Sequence, residues 1–497
     1  MDIGFQLKQT RVVELKWRML MGGSKALSGF AWSVGERIAT QGSLFVISLA
    51  LARILGPNDY GTVAMLLVFI NIADVFVTNG LSESLIQKNQ ASESDYSTVF
   101  VCGVVTSILL YALLFFAAPA IGEFYGNASM PPLLRVLALR IPLSSMNAIQ
   151  RAHVAKRLDF KKYFFASSLA AIFAGVLGII SALLGVGAYA LAVQQISNML
   201  LSTLFLYVQT CWRPSFKYSN KSARELLPTG FQLAGANLIN VLYSEGRSLI
   251  IGKYYSADSL AYYNRGNQFP SLVVSNINVP ISNVMLPVLS AANNDNRRLR
   301  ELTRKSMGLS AFLLTPCMGL LFVCSEPLVR LLLSDAWIPS VPYLQIGCLF
   351  YLFQPMQTMN WQALKAAGRS DLCLKLELVK KAICFSVLFL TVPFGVMAIA
   401  VGSAVSGFIS MVINMLPNGK VIGYSFAQQM IDILPSLVFT VLSGALAYCM
   451  AEMLRGSAIV ELILECVVML LVYITLALVT RNKNFIYIVE KIKRKIF

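Results

Sequence analysis

The stretch Ala52-Arg53-Ile54-Leu55-Gly56-Pro57-Asn58-Asp59-Tyr60-Gly61 is a short polar turn between two apolar runs of helix length. The run before it carries Glu36-Arg37 and the run after it carries Asp74. A turn joining two helices that each bury charge in a bilayer is the unit from which the rest of the chain is read.

The surrounding composition puts those helices in a membrane. The 497 residues are 57% hydrophobic and only 13% charged, with a mean hydropathy of +0.67. Soluble domains carry about 25% charged residues. The net charge of +17 does not indicate nucleic acid, because the basic residues sit in short clusters between apolar runs, the pattern that orients helices in an inner membrane. The nine cysteines are scattered and form no CxxC pair, so small buried hydrophobes are expected rather than a metal site or disulfides. The single histidine, His153, lies in a basic stretch and is expected to be a solvated loop residue. No metal, cofactor or catalytic residue is expected. Residues 1–25 are basic with interleaved apolar side chains and lack the continuous apolar core of a signal peptide. They fit a cytoplasmic amphipathic segment or a disordered tail.

A membrane-crossing helix needs about 20 mostly apolar residues. About fourteen windows qualify: 26–52, 59–81, 96–118, 132–150, 163–184, 187–209, 226–252, 258–287, 305–324, 341–363, 376–393, 396–416, 429–450 and 459–480. The fourth is interrupted by Arg135 and Arg140, and the tenth contains Pro355. The eighth holds Pro270, Pro280 and Pro287, where kinks or a break are expected. With the N-terminus in the cytoplasm and alternating sides, nearly all loop Lys and Arg residues fall on the cytoplasmic face. Arg53, Lys253, Arg330 and Arg455 are left outside. Both termini are then cytoplasmic. Every loop is short, so any transport or chemistry happens among the helices.

The opening hairpin has a partial echo about 200 residues on: Ser48-Leu49 meets Ser248-Leu249, Arg53 meets Lys253, and Ser82 meets Ser282. Each half begins with a long helix ending in a basic residue, a polar turn and a second long helix. This is a parallel repeat about the membrane normal. The expected organisation is an N-terminal segment 1–25, six-helix bundles at 26–212 and 222–417, two further helices within 428–481, and a basic tail at 482–497.

Ionisable residues inside the membrane are functional candidates unless paired. Of the 41 Lys and Arg residues, seven remain after the loops: Arg37, Arg135, Arg140, Arg247, Arg265, Lys380 and Lys381; Glu36, Asp74 and Glu245 are the acidic candidates. The lysine pair and Arg135 lie near interfaces, where snorkelling suffices. Helical rise puts Arg37 and Asp74 at the same depth, about 24 Å from the outer face. A structural ion pair of Arg37 with Asp74 or Glu36 and a role in substrate or ion binding are both open readings. Glu245 and Arg265 each lie about 12 Å deep and are a second candidate pair. Arg140 and Arg247 have no evident partner, and a guanidinium at that depth calls for water or an anion such as phosphate. A water-filled cavity between two halves, lined by Arg37, Arg140, Arg247 and Arg265, would take an anionic substrate. Asn237, Asn240, Asn264, Asn267, Gln268, Asn276 and Asn278 are equally candidates for sugar hydroxyls or interhelical bonds. Tyr243, Tyr262, Tyr263 and Trp361 are candidates for ring stacking, belts or packing.

Several stretches resemble the Wzx-type polysaccharide exporters, lipid-linked oligosaccharide flippases of the MOP superfamily. They are Ser28-Gly29-Phe30-Ala31-Trp32-Ser33 leading to the opening turn, Ser82-Glu83-Ser84-Leu85-Ile86-Gln87-Lys88, Lys156-Arg157-Leu158-Asp159-Phe160, Ala261-Tyr262-Tyr263-Asn264-Arg265 and Pro342-Tyr343-Leu344-Gln345. The similarity is greatest to the colanic acid and teichuronic acid exporters. It implies a V-shaped all-α transporter rather than an enzyme. It further implies alternating access, by which an undecaprenyl-diphosphate-linked oligosaccharide repeat is moved across a bacterial inner membrane for exopolysaccharide, capsule or O-antigen lipopolysaccharide. Cavity arginines are then expected to hold the diphosphate. Partners are the lipid-linked repeat, membrane lipids, and the polymerase with its chain-length machinery. The alternatives are an ion-coupled small-molecule antiporter of the same superfamily and a membrane glycosyltransferase or polymerase. The latter usually needs a long outer acidic loop, which this chain lacks.

Overall fold

The computed structural model describes residues 24–88, 91–157, 159–210, 213, 215, 217–292, 295–453 and 456–496. Cys211, Arg455, Leu158 and most of the expected N-terminal segment lie outside them. All the regular structure among the described residues is helical, as a bilayer requires, since only a helix or a closed barrel satisfies every backbone N–H and C=O within itself.

Helix α1 (Ser24–Ile54) and helix α2 (Pro57–Gln87) form the opening hairpin. Pro57 is the first residue of α2, where its missing N–H costs nothing, and Asp59 sits in the first turn, where the helix dipole favours negative charge. The turn is braced by the Tyr60 hydroxyl, which donates to the Ser48 carbonyl at 2.9 Å. Gly56 has φ −73 and ψ 165, an extended backbone open to any residue. Within α2, Asp74 is the last residue before a wider π-helical turn, Val75–Leu81.

Helices α3 (Glu93–Tyr125), α4 (Met130–Leu137), α5 (Arg140–Lys156), α6 (Phe160–Leu183), α7 (Tyr189–Gln209) and α8 (Asn220–Tyr254) follow. The window interrupted by Arg135 and Arg140 is thus two helices, broken at Ala138-Leu139. The chain divides into two compact units between Lys253 and Tyr254. Helix α8, expected to open the second bundle, therefore lies in the first unit up to Lys253. Its Leu226 joins Leu81, Leu85, Tyr96, Phe100 and Ile149 in a core shared by α2, α3, α5 and α8.

The second unit holds α9 (Ala257–Ser290), α10 (Asn296–Val323), α11 (Ser325–Leu332), α12 (Val341–Leu352), α13 (Gln354–Ala366), α14 (Ser370–Thr391), α15 (Val396–Val421), α16 (Phe426–Met453), α17 (Ala458–Val479) and α18 (Lys483–Ile496). Its core includes Met307, Met356, Met359, Met411 and Met415, unbranched side chains that fill irregular gaps. Helix α9 runs unbroken through Pro270, Pro280 and Pro287, so of the kinks or break expected there no break occurs. Each proline removes one hydrogen bond, and they stand far enough apart for the intervening turns to carry the helix. At Pro355 the chain does break, between α12 and α13. The echo holds in the boundaries: α1 ends at Ile54 and α2 starts at Pro57, while α8 ends at Tyr254 and α9 starts at Ala257.

Ten helical stretches among the described residues are long and apolar enough to cross a membrane. All fourteen expected windows fall on helix. The windows at 132–150, 226–252, 258–287 and 376–393 are not among these ten, and the first of them is split into helices of 8 and 17 residues. Large apolar side chains such as Phe116, Leu390 and Val441 are exposed as a lipid-facing surface would have them.

Helices α2 and α8 touch where small residues let their backbones meet. A Cβ at Gly80 would lie 2.8 Å from the Gly230 carbonyl oxygen and 2.9 Å from the Ala234 Cβ, whereas one at Gly56 would meet nothing within 4 Å. Gly80→Val is expected to destabilise the purified protein by about 1–3 kcal/mol through overpacking. Gly56→Ala is expected to be neutral or to stabilise by about 0.4–1 kcal/mol. Thermal unfolding in detergent measures both.

Candidate functional site

The best-formed polar cluster within the helices of the first unit centres on Asp74. Its carboxylate accepts a hydrogen bond from the Ser144 hydroxyl at 2.6 Å and lies 3.3 Å from the Arg140 guanidinium. Arg140 and Ser144 are four residues apart on α5, so they project from one face and reach the same carboxylate. Arg140 also donates to Gln195 of α7 at 3.1 Å. The break at Ala138-Leu139 starts α5 at Arg140 and so sets the direction of that side chain. Two contacts leave most of the five guanidinium N–H donors uncommitted, and the side chain keeps 23% of its surface exposed against 12% for Asp74.

These contacts revise the pairings expected from depth. Asp74 pairs with Arg140, not Arg37, because equal depth says nothing about the direction each residue faces around its helix. Arg140 is therefore not without a partner. Nor is Arg247, which donates to the Tyr243 hydroxyl at 2.6 Å and lies over the same ring. Arg37 is the exception: its Nε is buried without a hydrogen-bond partner, and no ion pair engages it among the described residues. Glu36 accepts from the Ser167 hydroxyl at 3.1 Å, and Glu245 accepts from Asn71 at 3.0 Å. In the second unit, Arg265 donates to Gln268 at 2.7 Å and lies over Trp337. Arg135 donates to the Phe115 carbonyl, and Lys380 and Lys381 share Glu377.

The polar side chains of α8 and α9 divide. Asn267 and Asn276 donate to carbonyls one turn back on their own helix, at 2.8 and 3.0 Å, while Asn278 reaches Thr358 on α13 at 2.8 Å. Tyr262 packs edge-on against Trp337 and Tyr263 against Tyr343, and Trp361 has Lys365 and Lys380 over its ring. His153 is not a solvated loop residue. It is buried on α5 with its ring 5.4 Å from Tyr96. Cys324, Cys348 and Cys373 are buried, Cys449 is exposed, and no group of metal-ligating side chains occurs among the described residues.

Outside the spans, Lys88 joins the start of α3 to the start of α8 through Asp95 at 3.0 Å and Glu225 at 2.9 Å. Burial alone would lower its pKa, but hydrogen bonds and charge from Glu225 and Asp95 hold it above the ordinary lysine value.

Ser144, Gln195 and Asn71 were not evident as site residues from sequence. Only Ser144 carries a signal, its four-residue spacing from Arg140, and that is legible only once Arg140 is known to face Asp74. Removing one member of a buried pair leaves the other uncompensated. Arg140→Ala and Asp74→Ala are each expected to cost about 3–5 kcal/mol, and the double variant to regain most of it. Thermal unfolding of the three purified variants measures the coupling.

Residues 50–342 match the family described as polysaccharide biosynthesis protein. The chain is 23% identical to the lipopolysaccharide biosynthesis protein WzxC of Escherichia coli (strain K12), over 87% of this chain and 89% of that one. It is 26% identical to the succinoglycan biosynthesis transport protein ExoT of Rhizobium meliloti (strain 1021), over 64% of each. Its fold matches the lipid II flippase MurJ in an inward closed conformation, with a TM-score of 0.73 at 15% identity, covering 91% of this chain and 99% of MurJ. It also matches an inward-facing multidrug resistance MATE transporter of the MOP superfamily, with a TM-score of 0.58 at 15% identity, covering 76% and 94%. With its helices long and apolar enough to cross a bilayer many times and a match extending over more than half its length, the chain belongs to the polysaccharide biosynthesis protein family, as a multi-pass membrane protein that shares its fold with the MurJ and MATE structures.

Proposed function

We propose that this protein moves an undecaprenyl-diphosphate-linked oligosaccharide repeat from the cytoplasmic to the periplasmic leaflet of a bacterial inner membrane, for surface polysaccharide synthesis. The observation that carries the reading is Arg37. A guanidinium held in a membrane helix with a buried, unanswered Nε calls for water or an anion, and its planar fork suits phosphate oxygens. The donors left over on Arg140 serve the same end, and Arg247 and Arg265 complete the diphosphate-binding set. The names borne by the relatives supply the class of cargo: a polysaccharide precursor that must cross a membrane.

In this reading the protein works by alternating access in an arginine-lined cavity, with a further helix pair within 428–481. Both termini are cytoplasmic, and a polymerase takes the delivered repeat. Glu36 and Glu245 are hydrogen-bonded to the neutral Ser167 and Asn71. They are the carboxylates available to exchange a proton during the cycle, whereas Asp74 is committed to Arg140. Ion-coupled antiport of a small molecule is the second reading, favoured only by the likeness to the MATE fold.

The test complements a strain lacking this gene and follows surface polymer and the leaflet distribution of the lipid-linked repeat. A lost charge-assisted contact to phosphate is worth about 1.5–3 kcal/mol, or about tenfold or more. Arg37→Ala and Arg247→Ala are each expected to cut export by that factor at unchanged membrane level, with the repeat accumulating on the cytoplasmic leaflet. Arg135→Ala, at the interface, is expected to export normally. Wild-type export from both Arg37→Ala and Arg247→Ala would overturn the arginine site, and drug susceptibility changing in place of polymer would favour antiport.

A further inference from the structure

A second basic site lies outside the arginines of the transport reading and does not depend on them. Helix α10, helix α16 and the junction of α17 with α18 enclose a cavity of about 830 Å³. Its two carboxylates are already engaged: Asp432 by Arg304 at 2.7 Å and by the Tyr424 hydroxyl at 2.7 Å, and Glu301 by Arg297 at 3.3 Å. The remaining lining charges are Lys305, Arg481 and Lys483. None of the three has an ion pair among the described residues. Lys305 holds its ammonium 3.6 Å from the centre of the Tyr487 ring, which fixes the cation at the cavity without neutralising it.

Arg481 supplies an independent observation. Helix α17 ends in a Schellman turn: the Arg481 N–H bonds the Leu478 carbonyl at 3.0 Å and the Asn482 N–H bonds the Ala477 carbonyl at 2.9 Å. The turn puts Arg481 at φ 48, a position glycine normally fills. At Gly126, Gly185, Gly187, Gly368, Gly395 and Gly423 the chain does use glycine for positive φ, and Arg481 is the only other residue among those described to adopt it. A strained backbone kept at the one place where the side chain lines a cationic cavity points to work done by that side chain.

The cavity is half apolar. Pro435 and Phe439 line it, and the neighbouring Ile431 and Leu434 of α16 are 64% and 51% exposed, as a lipid-facing surface is. Helix α18 is amphipathic. Phe485 and Ile488 pack toward Phe312, Phe439 and Tyr473, while Lys491, Lys493, Arg494 and Lys495 continue the basic sequence beyond. Basic pockets between membrane helices, with an adjoining basic amphipathic helix, are where anionic headgroups collect. A soluble phosphate would use the cations but not the apolar rim. We propose that this cavity binds the phosphate of an anionic glycerophospholipid, with Lys305, Arg481 and Lys483 on the headgroup and the acyl chains along α16.

The experiment uses the full chain in neutral detergent, titrated with phosphatidylglycerol, phosphatidylethanolamine, glycerol 3-phosphate or inorganic phosphate, and read by native mass spectrometry and thermal unfolding. Phosphatidylglycerol is expected to remain bound and to raise Tm, and the other three to do neither at equal concentration. Arg481→Gly relaxes the turn, so its lipid-free Tm should equal or exceed wild type while phosphatidylglycerol affinity falls about fivefold, the share of one basic residue near a membrane surface. Lys305→Gln combined with Arg481→Gly should lose about twentyfold or more. Lys217→Gln with Lys221→Gln removes as much charge elsewhere and should change nothing. Unchanged phosphatidylglycerol affinity in Arg481→Gly overturns the proposal, as does equal retention of phosphatidylethanolamine. A Tm rise with inorganic phosphate alone overturns the lipid assignment. If the double variant does not fold, the better-relaxed single variant decides.

Discussion

Hydrocarbon offers a polar group no partner, and every feature of this chain answers that constraint. Helices answer it for the backbone. The side chains left over must be answered by one another, and Asp74 shows how. Its carboxylate is met by Ser144 and Arg140 from a single face of α5, which fixes α5 beside α2. A well-packed apolar pair of similar volume would often serve stability as well as a buried ion pair or better. Keeping charge here therefore costs stability, and the free donors of Arg140 give a reason for that cost.

The same constraint explains which parts of the fold were legible. Helix-length apolar windows and polar turns record a one-dimensional property, depth along the membrane normal, and they predicted the hairpins well. Both the opening turn at residues 55–56 and its echo at 255–256 separate long helices where expected. Partnership is different, because it depends on the direction a residue faces around its helix and on which helices are neighbours. Arg37 and Asp74 share a depth yet do not pair, and Arg140 finds its partner on another helix. The break at Ala138-Leu139 and the π-helical Val75–Leu81 both lie beside this pair, and neither has a marker as plain as Pro57. Local irregularity of this kind accompanies function.

Where a polar side chain could bond locally, it did. Asn267 and Asn276 return to their own helix, so a count of asparagines along α9 overstates what is available to a sugar. His153 errs the other way. Basic neighbours suggested solvent, but α5 runs on to Lys156 and buries the ring against Tyr96.

Glu36, Arg37 and Asp74 lie on helices counted among the ten long, apolar stretches, whereas Arg140, Glu245, Arg247 and Arg265 lie on helices outside them. The windows at 132–150, 226–252, 258–287 and 376–393 hold Arg140, Glu245 with Arg247, Arg265, and Lys380 with Lys381. If they did not cross, alternation of the remaining ten would place the basic stretches at 151–162, 213–224, 297–305 and 365–375 on the face opposite Lys88 and the tail. Such a distribution would reverse the positive-inside rule in the middle of the chain. With all four crossing, those stretches return to one face. The fourteen windows read from the sequence are thus the arrangement that keeps the basic stretches on one face, as the positive-inside rule asks.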